Sequence, residues 1–490
     1  MSLLELVIDD LRCIERAELQ LHPGHNLIWG GNGSGKTSLL EAIFLLGRGR
    51  SFRTRNSERL IRYGRDRLVV FGRTGGSVEA GEIGGGPRHE GGYPVWGSGG
   101  FEGDGGNPGA GNRTGSVGDV NYIVAADGAE AVGEGGYSTG GSGVGSVGGH
   151  DYPATPGGAE SVPRGAYLSG GVRAESGRPG HPASGTTPRA AEGSLNSVRP
   201  PIQSSGSLWT GQQASGQPLG IQVSRADGTS ARISGANAKS LTELTQVFPV
   251  QVIDPGIHKL VEEGAHRRRR WMDWAVFHVE RQFGDAWLRY TRALKQRNAA
   301  LRTHPAQASA WDSELIRLGE LIAAARARFV EALLPYWKES ILALSGLEPE
   351  LHYFKGWAQD SSLADALVAS KARDEAKRIT HPGPHRADVI VRMNGRPARE
   401  VLSRGQQKLV GVAMTLAQLN LVHATTQTTS TLLLDDPAAE LDGDHLRRFI
   451  EQVLRLRSQL ILTSLHPEFQ LFGKPDRVFH VEQGRVQPVV

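Results

Sequence analysis

The sequence predicts an α/β protein: a parallel sheet with flanking helices, divided in sequence by a helical arm and interrupted by a glycine-rich insertion. Three observations carry this. Gly30-Gly31-Asn32-Gly33-Ser34-Gly35-Lys36-Thr37 fills the phosphate-loop pattern G-x-x-x-x-G-K-[ST], with the apolar run Asn26–Trp29 before it and helical spacing over Ser38–Leu46 after it. Strand and helix patterns alternate again through the C-terminal third, where Leu432-Leu433-Leu434 ends in Asp435-Asp436. Between the two stretches the apolar residues keep helical period.

Length and composition bound the possibilities. At 490 residues the chain exceeds the size at which one core keeps growing, so several domains or a large segment outside the core are expected. A formal net charge of +4 and a pI near 9.2 permit nucleic-acid binding without demanding it. The one cysteine, Cys13, excludes an intramolecular disulfide and a cysteine metal cluster, fits a reducing cytoplasm, and is expected to be a small buried apolar residue. The N-terminus carries Glu5, Asp9 and Asp10 and lacks the pattern of an export signal. No stretch is expected to span a bilayer, so the chain reads as soluble and cytoplasmic.

In chain order, Leu3–Ile8 and Ala17–Leu21 read as strands ahead of the phosphate loop. After the loop's helix, Arg48, Arg50, Arg53, Arg55, Arg59, Arg62, Arg65 and Arg67 crowd one span; a phosphate-facing surface and a solvated basic loop fit it equally. Leu68–Arg73 follows as a strand. From Gly75 to about Gly216 glycine, serine and proline dominate without apolar periodicity, so this segment reads as a disordered insertion in a surface loop. Leu219–Ser224 and Ser230–Ile233 form a hairpin, and Val250–Ile253 a further strand. Arg267-Arg268-Arg269-Arg270 favours a phosphate contact over a solvated face. Gly284–Leu301 and the helix bearing Leu315, Leu318, Ile322, Ala325, Phe329 and Leu333 pair as an antiparallel arm. Ala387–Met393, a helix from Arg404, Thr431–Leu434, Asp444–Leu456, Gln459–Thr463 and Val478–Val481 then return to the sheet pattern. The divisions are thus 1–74 and 217–255 for the N-terminal part of the head, 75–216 for the insertion, 256–380 for the arm, or lid, and 381–490 for the rest of the head.

The chemistry follows from residue type. Glycines let the loop fold tightly enough for several N–H groups of Gly30 to Thr37 to converge on one anion at a helix N-terminus. Lys36 is placed to pair with the β and γ phosphates of ATP, and Thr37 to hold Mg²⁺. Asp435, at the end of a buried strand, is a second Mg²⁺ candidate, and Asp436 a candidate to position or deprotonate the attacking water. Upstream, Ser403-Arg404-Gly405-Gln406-Gln407-Lys408 opens a helix, where Ser403 can be a plain cap or part of a second anion site. Thr463, Ser464 and His466 are all placed to sense a γ-phosphate.

Phosphate loop, helical insertion, Ser-x-Gly-Gln helix start, paired acids and Ala439-Glu440-Leu441-Asp442, in that order, resemble the ABC and SMC class of ATPases. The resemblance implies that Ser403, Gly405 and Gln406 of one subunit cap the γ-phosphate held by the phosphate loop of another, with Asp442 in the dimer loop, so that two complete sites need a homodimer. Leu39-Leu40-Glu41-Ala42-Ile43, Gly49-Arg50-Ser51-Phe52-Arg53, Leu294-Lys295-Gln296-Arg297-Asn298-Ala299-Ala300-Leu301 and Gly383-Pro384-His385-Arg386-Ala387-Asp388 narrow this: outside the insertion the chain resembles the RecF family of bacterial DNA replication and repair proteins. That resemblance implies a weak DNA-stimulated ATPase that dimerises on ATP, binds double-stranded DNA near single-strand gaps, and helps load RecA with RecR and RecO. It implies a basic DNA seat, for which Arg50, Arg53 and Arg267 to Arg270 are the candidates. The insertion departs from the family pattern, and Ala387 stands where the family often carries a second acid. A non-catalytic nucleic-acid scaffold is the alternative reading, against which Lys36, Thr37, Asp435 and Asp436 stand intact; a transporter motor would need a membrane partner.

Overall fold

A computed structural model describes residues 1–75, 216–439, 441, 443–467 and 472–489. β1 (Ser2–Leu11) and β2 (Ile14–Gln20) form a hairpin, with Ala17 and Leu19 of β2 turned inward at alternate positions. β3 (His25–Trp29) leads through the phosphate loop into α1 (Lys36–Arg48). α1 ends at Gly49, whose φ of 64° lets its N–H bond Leu45 O at 2.8 Å, a left-handed cap that glycine adopts without strain. β4 (Arg67–Gly75) lies antiparallel to β1, β5 (Gly216–Ser224) to β4, and β6 (Gly228–Ile233) and β7 (Ala236–Asn237) complete a six-stranded sheet in the order β2-β1-β4-β5-β6-β7.

After α2 (Thr242–Val247) come β8 (Val250–Ile253), α3 (Lys259–Glu262), α4 (Ala265–Val279), α5 (Phe283–Thr303) and α6 (Asp312–Ser345). β9 (Glu350–Phe354), α7 (Leu363–Lys377), β10 (Asp388–Met393), β11 (Arg396–Pro397), α8 (Ala398–Val401) and α9 (Arg404–Thr426) follow, then β12 (Thr431–Leu434), α10 (Gly443–Arg455), β13 (Gln459–Ser464), β14 (Arg477–Glu482) and β15 (Arg485–Pro488). The second sheet runs β15-β14-β3-β13-β12-β8, parallel except for β15, and so joins strands from the two ends of the chain. β9, β10 and β11 make a small antiparallel sheet.

Successive side chains of the parallel strands enter different cores, as the pleat requires. Leu433 and Ile461 join Leu3, Leu6, Ile43 and Leu46 between the parallel sheet, α1 and the antiparallel sheet. Leu432, Leu434, Leu460 and Leu462 join the helical side, where one continuous cluster runs from α9 to Trp287, Leu315 and Phe329 of the arm. Two expectations are corrected here. α9 is long and apolar enough, by length and composition, to cross a bilayer, although the sequence reading found no such stretch; it is 72% buried, as the central core helix. Cys13 is exposed, because the β1–β2 turn lifts it out of the core.

Most of the insertion lies outside the described residues, but its edges do not. Gly75 ends β4, Gly216 begins β5, and the two face each other in register. The antiparallel ladder is therefore closed across the whole excursion, and a two-residue turn can bridge the same ends. Replacing 76–215 by Asn-Gly is expected to leave the fold intact. If the segment contributes only chain length, stability rises, by at most about 3–4 kcal/mol at about 0.6 kcal/mol per doubling of loop length. Urea unfolding of the two proteins checks this, and a deletion protein that fails to fold refutes it.

Charged side chains inside the helical region explain the motifs at 294–301 and 383–388. Arg297 pairs with Asp312 and Asp374, both at 2.7 Å, and donates to Thr380 Oγ1 at 2.9 Å, while Asn298 Oδ1 accepts from Thr380 N at 2.8 Å. Pro384 O accepts from Arg326 Nη1 at 2.6 Å, His385 Nδ1 lies 2.8 Å from Tyr290 Oη, and Asp388 binds Arg268. The Gly383–Asp388 stretch is thus a buckle joining α4, α5 and α6. Burial lowers the His385 imidazole to about 3, so it sits neutral in this buckle.

Candidate functional site

The loop between β3 and α1 is shaped by backbone conformations that side chains resist. Gly30, Gly33 and Gly35 have φ of 156°, 76° and 117°. A Cβ at Gly30 would meet Val481 O at 2.2 Å, and one at Gly484, in the β14–β15 turn, would meet Cys13 O at 2.3 Å. The β1–β2 and β14–β15 turns therefore press on the loop, and Gly484 N–H donates to Ser34 O at 2.8 Å. The first turn of α1 leaves backbone N–H groups without intrahelical acceptors, which is what an anion requires.

Side chains from distant parts of the sequence converge on this turn. Lys36 Nζ donates to Gly30 O at 2.6 Å and Gly31 O at 2.9 Å, curled over the loop. Burial lowers its pKa, while Asp436 and Asp435 oppose the shift. Thr37 Oγ1 lies 3.0 Å from Asp435 Oδ1 and 3.1 Å from Oδ2, so the two metal candidates from residues 37 and 435 are brought together. Thr463 Oγ1 lies 3.0 Å from Asp435 Oδ1 and accepts from Asp436 N at 2.9 Å. Thr463, fully buried at the end of β13, is thus the residue that sets both acids; Ser464 is buried beside it and His466 exposed beyond it. Asp436 sits at φ 48°, turned away from the strand direction of β12. Ser34 Oγ is buried in the loop without a hydrogen-bond partner.

The residues fit a magnesium nucleotide: converging N–H groups and Lys36 for phosphate oxygens, and Thr37 and Asp435 as hard oxygen donors for the cation. The strand ends also reveal a carboxylate that sequence reasoning missed. Asp254 follows β8 as Asp435 follows β12; the strands are parallel neighbours with Ile253 opposite Leu434, and Asp435 N–H donates to Ile253 O at 3.0 Å. Its signal was available, since Val250–Ile253 is an apolar strand ending in an acid, like Thr431–Leu434.

Ser403 is a helix cap in this structure. Its Oγ accepts from Gln406 N at 3.3 Å and its N–H donates to Gln406 Oε1 at 3.0 Å, a full capping box. Ser403 and Gly405 are exposed, and Ser403 and Gln406 bond each other rather than the phosphate loop. Asp442 lies outside the described residues.

The arginines divide by environment. Arg268 is 9% exposed, doubly bonded to Asp388 at 2.8 and 2.9 Å, and donates to the carbonyls of Leu260, Val261 and Glu263. Arg269 donates to Ala387 O at 2.7 Å, and burial lowers its pKa to about 10. Both serve the buckle, which corrects the expectation that all four arginines of the run face a phosphate. Arg48 is turned inward, 5.4 Å from the Phe44 ring and 5.5 Å from that of Trp274. Arg62 and Arg65 are tied to Glu15 and Asp10. Arg50, Arg53, Arg267 and Arg270 instead line one cleft.

A parallel sheet joining both chain ends, a phosphate loop, and acids at a neighbouring strand end define a phosphate-loop ATPase head of the ABC and SMC type. Residues 2–78 match the family model described as RecF/RecN/SMC N terminal domain. The proteins named "DNA replication and repair protein RecF" from Pseudomonas paraeruginosa (strain DSM 24068 / PA7), Pseudomonas aeruginosa (strain LESB58) and Pseudomonas putida (strain W619) are each 38% identical over 276 residues, covering 55% of this chain and 75% of theirs. The chain belongs to the RecF family of DNA replication and repair proteins. A structure of the recombination mediator protein RecF-ATP in the RecFOR pathway superposes with a TM-score of 0.66 at 18% identity, covering 100% of this chain and 98% of that one, and a RecF-ATPrS structure with 0.64 at 19%. These two establish likeness of fold.

Proposed function

We propose that the chain is an ATP-dependent DNA-binding protein of replication and recombinational repair, which dimerises on ATP, binds double-stranded DNA beside single-strand gaps, and helps load RecA together with RecR and RecO in the cytoplasm. Its hydrolysis is weak and DNA-stimulated, and serves as a switch. The observation that carries the reading is the convergence of Lys36, Thr37, Asp435, Asp436 and Thr463 from three separate strand ends, with no member of the set lost. Lys36 draws charge from the β and γ phosphates of ATP, Thr37 and Asp435 hold Mg²⁺, and Asp436 orients the attacking water. The head comprises 1–74, 217–255 and 381–490, and 256–380 is the lid.

The composite site is the sharper part of the proposal. An exposed cap that bonds only its own helix start can exchange its Ser403–Gln406 hydrogen bonds for the γ-phosphate on a second copy, with Gly405 beside it and Asp442 at the dimer contact. Ser403→Ala is expected to bind ATP with unchanged affinity, to lose about 1 kcal/mol of helix capping, and to stay monomeric with ATP. Sedimentation without nucleotide, with ATP, and with ATP plus gapped DNA reads all three states, and a full ATP-driven dimer of the variant sinks the composite site.

A further inference from the structure

The arginine-lined cleft and the catalytic acids are joined by residues whose connection nothing in the motifs shows. Loop residues Arg50, Arg53 and Arg55 form one wall of the cleft and Arg267 and Arg270, in the first turns of α4, form the other, around a volume of ≈ 200 Å³. Five arginines and one acid, Glu263, line it. That acid is paired with Arg267, and the side chains are 41% and 45% exposed, so solvent screens the pair and it is easily exchanged. A second cavity of ≈ 160 Å³ shares Arg50, Arg267 and Arg270 with the cleft and reaches Asp254 at the end of β8. A third, small cavity holds Asp254 and Asp435 together, with Lys408 of α9. Arg267 therefore stands between a phosphate-sized basic cleft and a carboxylate adjacent to the proposed metal-binding acid.

We infer that the cleft takes the sugar–phosphate backbone of duplex DNA, and that Arg267 and Asp254 transmit its occupation to Asp435. The inference rests on the reading of the chain as an ATP-dependent DNA-binding protein. Arginine suits phosphate through its planar donor fork, and the cleft presents guanidinium groups from two elements at once. A phosphodiester in the cleft competes with Glu263 for Arg267, which lines the second cavity together with Asp254. Burial already pushes the Asp254 carboxyl up, the Arg267 charge opposes that, and the Asp435 charge adds to it. Drawing Arg267 toward DNA thus changes the charge of the pocket shared by Asp254 and Asp435. Asp254 is a positioning residue in this scheme: it acts through Asp435.

The test is a linkage measurement on the full chain, with ATP affinity read with and without a duplex carrying a single-strand gap, and DNA affinity read with and without ATP. The wild-type protein is expected to show one reciprocal factor, about 5- to 150-fold. Asp254→Asn is expected to bring that factor close to one while DNA affinity without nucleotide stays at the wild-type value, and Asp254→Glu to restore it. Arg270→Ala is expected to weaken DNA binding, to lower the slope of log affinity against log salt by about one, and to keep the factor. Arg267→Ala is expected to lose both, which keeps the test decisive should an Asp254 variant fold poorly. A wild-type factor of one, or an Asp254→Asn factor equal to wild type, overturns the inference. A wild-type chain that binds neither ATP nor DNA overturns the functional reading itself.

Discussion

Lys36→Ala is expected to weaken nucleotide binding by one to two orders of magnitude while leaving the folded protein about as stable as the wild type. Lys36 is 8% exposed and its ammonium is held by two loop carbonyls, in an environment where burial lowers its pKa. Removing it relieves the desolvation cost of the ammonium, which offsets the loss of a partner at the buried Gly30 carbonyl, while Gly31 is exposed, so the fold loses little. The ligand loses its charge-assisted partner at the β and γ phosphates. A hydrogen bond to a charged group contributes about 1.5–3 kcal/mol, so the affinity for ATP falls by roughly 10- to 150-fold from this contact alone. Thermal unfolding with and without magnesium ATP separates the two effects. At a ligand concentration of about 100 Kd the wild type gains about 2.7 kcal/mol, and the variant, bound roughly 10- to 150-fold more weakly, is expected to gain about 0.3–1.4 kcal/mol at that concentration. A variant that shows the wild-type ATP shift refutes the role of Lys36.

Local signals made one half of this site legible. Gly30 to Thr37 announces itself because the backbone conformations at Gly30, Gly33 and Gly35 exclude other residues, and Thr431–Leu434 because a strand buried on both faces must be apolar throughout. What stayed hidden was set by partners remote in sequence. The Arg267–Arg270 run reads as one basic patch, yet Asp388, 120 positions from Arg268, takes the second arginine inside, and the carbonyl of Ala387 takes the third. Arg297 carried the opposite lesson, since its motif was recognised by family likeness while its work of joining Asp312, Asp374 and Thr380 appears only in three dimensions. In the sequence α9 reads only as a helix from Arg404, in a chain expected to hold no stretch able to span a bilayer; it has the length and hydropathy of such a stretch and is enclosed by the core, so hydropathy alone could not place it. Asp254 was missed because a single acid after a short strand means nothing until the neighbouring strand ends in another.

Asp273→Ala is expected to have the largest effect on stability of any single substitution in the helical region. Asp273 of α4 and Arg326 of α6 are 1% and 0% exposed and meet through two hydrogen bonds at 2.8 and 2.9 Å. The guanidinium also lies 4.9 Å from the Trp287 ring and donates to Pro384 O. Loss of the carboxylate strands a permanent charge in the core, because arginine does not release its proton as a lysine would. Breaking such a pair costs about 3–5 kcal/mol, a large part of the ~5–15 kcal/mol that holds a typical domain folded. The damage reaches the surface through α4: the same helix carries Arg267 and Arg270 of the cleft, and the same Gly383–Asp388 buckle ties Arg268 and Arg269. Urea unfolding is expected to show a midpoint well below wild type. Replacing both partners by apolar residues of similar volume, Asp273→Leu with Arg326→Met, is expected to recover most of the loss, since no charge is then left buried. A single variant with a wild-type midpoint, or a double variant no better than the single, would show that the ion pair is not what joins α4 to α6.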